Sequence, residues 1–195
     1  MFGKAVLGFG EKVAHTLIDR ARKGDLRALE VIYDTYANAC FSLAYRISDN
    51  YDLAQDITQD VFIKVMTGIR NFRGYEELGG WVRRIVSNET INRIRSTQRL
   101  HLVGEDEYFY ESDGDLFNNN WLESCQDLDK LLAKLPMNSR AVLLLHEVEG
   151  FNHKEIARMF DKSESFSKVT LSRAFAQLRK YASQQKREPS NAFKR

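Results

Sequence analysis

The chain has 195 residues, enough for one large domain or two small ones, each able to bury a core. Hydrophobic residues at 43% and charged residues at 29% describe an ordinary soluble protein, and 2 prolines against 11 glycines leave room for long uninterrupted helices. The opening apolar run stops at Glu11-Lys12, too short for a secretory signal or a membrane span, so a cytoplasmic location is expected.

The formal net charge of +2 hides an asymmetry along the chain. Between His101 and Lys130 the acids Glu105, Asp106, Glu107, Glu111, Asp113, Asp115, Glu123, Asp127 and Asp129 face a single base, Lys130. From Lys162 onward the balance reverses, with Lys162, Lys168, Arg173, Arg179, Lys180, Lys186, Arg187, Lys194 and Arg195 against Glu164 and Glu188. An acidic stretch between two basic regions points to nucleic acid held at two places. Cys40 and Cys125 lie far apart without metal-type spacing; Cys40 falls in an apolar helix and reads as a small core residue.

Glu11 to Lys23 is predicted as a first helix, with Val13, Leu17, Ile18 and Ala21 on one side, Gly24 ending it and Asp25 capping the next. A longer helical pattern runs from Leu26 through Ile32, Tyr36, Cys40 and Ala44 to Ile47, and Ser48-Asp49-Asn50 closes it. The third helix places Ala54, Ile57, Val61, Val65, Met66 and Ile69 on a buried stripe. Its other face carries Asp52, Gln55, Asp56, Gln59 and Asp60. After a turn at Gly74 and the Gly79-Gly80 pair, a fourth helix is expected from near Trp81. It is basic, with Arg83, Arg84, Arg93, Arg95 and Arg99 against Glu89. One helix offers acid and the next offers base, which implies two different partners, one of them a polyanion. No useful length alternates with a period of two, so no sheet is expected and the fold class is all-α.

In the fourth helix Asn88 and Asn92 share a face with Arg84 and Arg95, beside Phe72, Arg73, Tyr75 and Trp81. An amide both donates and accepts, which suits an unpaired base edge, while rings stack on bases and cations hold the backbone. A stacked base contributes roughly 1–3 kcal/mol, enough to offset part of the cost of opening a duplex. The opposing reading makes Trp81 and Phe72 plain core.

From about Leu100 to Ser124 the periodicity dissolves into an acidic, flexible linker in which Tyr108, Phe109, Tyr110, Phe117 and Trp121 are notably aromatic. A second domain is expected from Cys125. Leu128, Leu131, Leu132 and Leu135 form a helical face ended by Pro136, and a further helix runs from Ser139 to Glu149 until Gly150 breaks it. Asn152 caps a short helix to Phe160. A turn through Asp161-Lys162-Ser163-Glu164 leads to a final helix from about Ser165 to Tyr181. Two helices joined by a tight turn, the second basic and carrying Ser167, Lys168, Ser172 and Arg173, form a helix-turn-helix suited to a major groove.

Several motifs in order carry a resemblance: Asp52-Leu-Ala-Gln-Asp-Ile-Thr-Gln-Asp-Val-Phe, Phe72-Arg-Gly, Trp81-Val-Arg-Arg-Ile-Val-Ser-Asn, Leu135-Pro-Met-Asn-Ser-Arg-Ala-Val and Gly150-Phe-Asn-His-Lys-Glu-Ile-Ala. With them the chain resembles an extracytoplasmic-function (ECF) sigma factor of bacterial RNA polymerase, over about Leu17 to Gln98 and Leu128 to Ala182. The resemblance implies a four-helix region 2-like domain at 11–99, the acidic linker at 100–124, a region 4-like helix-turn-helix domain at 125–183 and a basic tail at 184–195. It implies that Asp52, Asp56, Gln59, Asp60 and Phe62 bind the clamp helices of the polymerase's largest subunit. It implies that Phe72, Arg73, Tyr75, Trp81, Arg84, Asn88, Asn92 and Arg95 open and read the promoter's −10 element, and that Ser167, Lys168, Ser172 and Arg173 read the −35 element. It also implies an anti-sigma partner.

The sequence departs from the family pattern where Ser165-Phe166 replaces Gly-Thr and where Phe175 follows Arg173-Ala174, which bears on the −35 contact. Val169 and Thr170 also stand where more polar residues are usual, and Gly79-Gly80 is unusual beside the −10 loop. A helix-turn-helix regulator that binds duplex DNA on its own is the competing reading, but it needs neither the acidic face nor the Trp/Asn cluster. An enzyme is disfavoured, because His15, His101, His146 and His153 sit in unrelated contexts and no metal spacing, phosphate loop or nucleophile elbow occurs. No cofactor, metal, small-molecule substrate or membrane insertion is expected.

Overall fold

The computed structural model describes residues 8–75, 77–100 and 126–185. The chain divides into two compact units, Met1–Gly104 and Glu105–Arg195. Every regular element among the described residues is helical. The acidic linker with its aromatic residues and the basic tail lie outside the described residues, apart from Leu100, which ends a helix, and the first residues of the tail, which belong to the final helix.

In the first unit the helices are α1 (His15–Arg22), α2 (Leu26–Ser48), α3 (Tyr51–Gly68) and α4 (Leu78–Leu100), with a 3-10 turn at Ile69–Asn71. Local chemistry sets their ends. Gly24 takes φ +86°, which favours glycine, and the Asp25 carboxylate then accepts from the backbone N–H groups of Arg27 and Ala28 to start α2. Asp49 adopts the left-handed conformation that ends α2, and the Asn50 side chain accepts from Leu53 N–H at 2.8 Å to open α3. A two-residue link therefore stops one helix and caps the next.

The core of this unit is the meeting of α2, α3 and α4. Ile32, Tyr36, Cys40 and Ile47 of α2, Ile57, Val61 and Val65 of α3, and Val82, Val86, Ile91 and Ile94 of α4 are all buried, as is Ile18 of α1. Each fully buried isoleucine side chain contributes about 1.5–3 kcal/mol of transfer free energy. Tyr36 is enclosed, and burial pushes its phenol up to about 12. Its hydroxyl donates to the Glu11 carbonyl at 2.6 Å. Helix α1 begins at His15 instead of at Glu11, with the Ala14 carbonyl accepting from Leu17 and Ile18 N–H.

Two other expectations shift. Met66 is not on the buried stripe of α3; it is 46% exposed. The glycine pair does not precede α4 but forms its first turn, with Trp81 N–H bonded to the Glu77 carbonyl at 2.9 Å. Gly79 has a packing reason. A Cβ there would lie 1.9 Å from the Phe9 carbonyl oxygen, so the backbone of residue 9 can cross only where no side chain stands.

The second unit contains α5 (Gln126–Ala133), α6 (Met137–Leu143), a π-turn at Leu144–Val148, α7 (His153–Phe160) and α8 (Glu164–Gln185). Helix α5 stops at Ala133, and Pro136 serves as the residue that leads into α6. The wide turn after α6, with Glu149 N–H on the Leu144 carbonyl at 3.0 Å, ends at Gly150 with φ +72°. Asn152 and Glu155 form a reciprocal capping box at α7: the Asn152 side chain accepts from Glu155 N–H, and the Glu155 carboxylate accepts from Asn152 N–H. Asp161, at φ 54°, makes the tight turn into α8. Helices α6 and α7 both pack on α8, around buried Leu144, Leu145, Phe151, Ile156, Phe160, Leu171 and Ala174.

Candidate nucleic-acid interface

On α3 the exposed residues Asp52, Asp56, Gln59, Ile63 and Met66 recur at intervals of four and three, so they form one stripe along the helix. Its N-terminal half is acidic and polar. Its C-terminal half is apolar, with Ile63 60% exposed. Asp60 is one step round the helix, where its carboxylate accepts a hydrogen bond from Nη2 of Arg93 on α4. That bond, ahead of a burial penalty, raises the Arg93 guanidinium above its ordinary value. Lys64 pairs with Glu89 in the same way, so two ion pairs fasten α3 to α4.

Phe62 does not belong to this stripe. It is 5% exposed, and its ring packs against Tyr33 of α2 with centroids 4.6 Å apart. The reason is angular: Phe62 follows Thr58 by four residues and Val61 by one, which turns it into the α2 contact.

On α4 the exposed Arg84, Asn88 and Asn92 and the half-exposed Arg95 lie at four-, four- and three-residue intervals, again a single face. Trp81 begins this face, half-buried. Its ring stacks on Phe72 at 4.9 Å and 27°, and a Cβ at Gly68 would meet it at 3.0 Å. Trp81 thus closes the end of α3 and borders the polar face. Arg73 is exposed in the loop between the 3-10 turn and α4. Tyr75 is differently employed. Its hydroxyl donates to Asp19 of α1 at 2.8 Å, the Arg22 guanidinium covers its ring at 4.5 Å, and the His15 ring lies 4.8 Å away. These α1 partners lie more than fifty residues away in sequence, and nothing local announces them.

In the second unit α7, the Asp161 turn and α8 form the helix-turn-helix. Ser165, Lys168, Val169, Ser172, Arg173 and Ala176 are exposed along one side of α8. Lys168 Nζ lies 2.8 Å from the Glu164 carboxylate, which the lysine holds below the usual carboxylate range. Ser167 is a correction to the expected DNA-facing set. It is fully buried, with Oγ 3.0 Å from Nδ1 of His153. One residue from Lys168, it has turned about a quarter of the helix away and faces α7. His153 in turn stacks on His146, which projects from the π-turn, with centroids 4.4 Å apart. Burial first, then the neighbouring His146 and Lys168, lowers the His153 pKa below its ordinary value. Phe166, at the unusual opening of α8, packs on Phe160 at 5.4 Å.

Comparison with known proteins gives these faces a context. Residues 32–100 match the family Sigma-70 region 2, and residues 125–178 match Sigma-70, region 4. The RNA polymerase sigma-H factor of Pseudomonas aeruginosa is 30% identical over 152 residues, covering 72% of this chain and 79% of its own length. The chain belongs to the sigma-70 family. Among its relatives the ECF RNA polymerase sigma-E factor of Haemophilus influenzae is 27% identical over 158 residues, 74% of this chain and 82% of its own. This sigma factor also shares its fold with the sigma factor RpoE of Bartonella quintana, solved in complex with the anti-sigma factor NepR: TM-score 0.50, 21% identity, coverage of 83% and 96%. Region 2 of the sigma factor thus contains the α3 and α4 faces, and region 4 contains the helix-turn-helix. Among the described residues no helix is long and apolar enough to cross a membrane.

Proposed function

We propose that this sigma factor of the ECF class binds core RNA polymerase through the α3 stripe, meets the opened −10 strand with the α4 face and its preceding loop, and reads the −35 duplex with α8. The observation that carries the reading is the segregation of chemistry on adjacent helices of one unit. Carboxylates and apolar groups line α3 at Asp52, Asp56, Gln59, Ile63 and Met66, while amides and cations line α4 at Arg84, Asn88, Asn92 and Arg95. A surface with acid at one end and exposed isoleucine and methionine at the other suits a basic, partly apolar protein groove. An amide-and-guanidinium face beside stacked rings suits unpaired bases on a phosphate backbone.

On α8 the contacts assigned to DNA are Lys168, Ser172 and Arg173, joined by Val169, a 44% exposed residue whose methyl groups suit the methyl of a thymine. Phe62 and Ser167 have no part in either interface, because packing occupies both. The protein acts without catalysis of its own or a cofactor, in the cytoplasm beside the polymerase, and an anti-sigma factor is its inhibitor. The test is a competition experiment in which purified core polymerase and this chain are offered fork-junction DNA with a single-stranded −10 segment and fully duplex DNA of the same sequence. Tight, chain-dependent retention of the fork supports the reading; equal retention with and without the chain removes it.

A further inference from the structure

The loop between the 3-10 turn and α4 is held from outside by α1. His15, Asp19 and Arg22 stand four and three residues apart, one stripe of that helix, on a side distinct from its buried Ile18 and Ala21. Arg22 Nη2 donates to the Phe72 carbonyl at 2.6 Å, and Nη1 donates to Asp19 Oδ1 at 2.9 Å. The same Oδ1 accepts the Tyr75 hydroxyl at 2.8 Å. The Arg22 guanidinium lies over the Tyr75 ring, with the His15 ring also against it. One carboxylate oxygen thus gathers a guanidinium and a phenol, and through them both ends of the 72–75 loop are fixed. Phe72, tethered by its carbonyl, carries its ring onto Trp81 at the head of the polar α4 face.

We infer that Asp19 and Arg22 are positioning residues for base reading: the pair on α1 holds the 72–75 loop in its receiving shape before DNA arrives, and Tyr75 is the loop's anchor, with its ring engaged by Arg22 and His15. The inference rests on the assignment of this loop to the −10 strand. Its physical content is entropic. A loop that is ordered only on binding loses backbone freedom at that moment, and the loss is subtracted from what its base contacts contribute. Bonds to ionised partners in the free protein offset part of that cost before DNA arrives. Asp19 and Arg22 themselves need not touch DNA.

The experiment uses holoenzyme assembled from core polymerase and the full chain. It is incubated with a pool of fork DNA whose single-stranded −10 segment is randomised, and the retained molecules are sequenced. Wild type enriches particular bases. Asp19→Ala, which removes the carboxylate shared by Arg22 and Tyr75, is expected to flatten that base preference and to lower fork retention about tenfold. Core-polymerase affinity should stay within about twofold of wild type, since α1 lies off the α3 stripe. Tyr75→Phe deletes one hydroxyl and keeps the ring, so it should give a smaller loss in the same direction. The double variant should be no worse than Asp19→Ala, because both remove one shared interaction. Should Asp19→Ala prevent folding, seen as loss of the thermal transition, Tyr75→Phe still decides the matter. An unchanged base preference in the variants, with wild type selective, overturns the role given to α1. A wild-type holoenzyme that selects no bases at all overturns the −10 assignment itself, and the role of α1 with it.

Discussion

Arg93 of α4 bonds to Asp60 of α3 and keeps its Nε 3.9 Å from Glu89, so the acidic helix and the basic helix of region 2 are joined by their own charges. Asp60 therefore has an intramolecular hydrogen bond to Arg93, whereas Asp56 adds only a longer-range attraction on the same guanidinium. Lysine at Asp52 and Asp56 together should weaken core-polymerase binding roughly tenfold or more while leaving the melting temperature nearly unchanged. Asp60→Ala should also lower stability, by up to about 1 kcal/mol, because a partly exposed ion pair contributes little more. Polymerase titrations and urea unfolding of the same preparations separate the two effects. If the Asp52/Asp56 double variant binds like wild type, the α3 stripe is not the docking surface.

The glycine pair at the start of α4 offers a paired test of packing. A Cβ at Gly79 would fall 1.9 Å from the Phe9 carbonyl oxygen, whereas a Cβ at Gly80 meets nothing within 4 Å. Gly79→Ala should displace the segment around Phe9 and cost about 1–3 kcal/mol. Gly80→Ala, in a helical turn with open space, should be neutral or stabilising by up to about 1 kcal/mol. Urea unfolding of the two variants measures the contrast, and equal midpoints would show that the N-terminal crossing is not held at Gly79.

Region 4 should lose stability in mild acid. His153 is held neutral by burial, by the stacked His146 and by nearby Lys168, while Glu164 and Glu147 act in the opposite sense. Its folded pKa lies below the ordinary value of 6.5, so the unfolded chain binds the extra proton first. The stabilisation is complete above the ordinary value and is lost as pH falls through the window down to the folded pKa. Thermal melts at about pH 7.5 and about pH 5.5 should show the region 4 transition shifted down at the lower pH. His153→Gln should reduce that shift.

The DNA-facing residues should separate by the kind of contact they make. Asn88→Ala should impair retention of single-stranded −10 DNA more than binding of duplex. Lys168→Ala should weaken −35 duplex binding across sequences and reduce the salt slope by about 1. Ser167→Ala should leave the salt slope alone, because its hydroxyl faces His153. Fluorescence anisotropy over a salt series distinguishes these outcomes, and a flattened slope in Ser167→Ala would return that residue to the interface.

Much of this architecture was legible in residue spacing. Ile57, Val61 and Val65 announced the buried side of α3, Asp25 and Asn152 announced their helix starts, and the absence of period-two alternation pointed to helices throughout. The errors were of angle. Met66 directly follows a buried residue, Phe62 directly follows another, and Ser167 precedes an exposed lysine; each differs from its neighbour by about 100° round a helix. Only the packed partner (Tyr33 for Phe62, His153 for Ser167) decides which way such a residue faces. The hold of α1 on the 72–75 loop was not legible at all. Asp19 and Tyr75 are separated by 56 positions, and a salt-bridged aspartate on a short helix looks like any solvated charge. The π-turn after α6 was not legible either, since Leu144 to Val148 carries an ordinary helical composition.

In the proposed function, two separate modules of one chain, docked on polymerase, choose where transcription begins. Run-off transcription with purified core polymerase on genomic fragments, with and without the chain, tests it most directly. Discrete transcripts that appear only when the chain is added, and disappear when the fragment lacks either the −35 or the −10 segment, are the predicted result. A transcript pattern that is the same with and without the chain would contradict it.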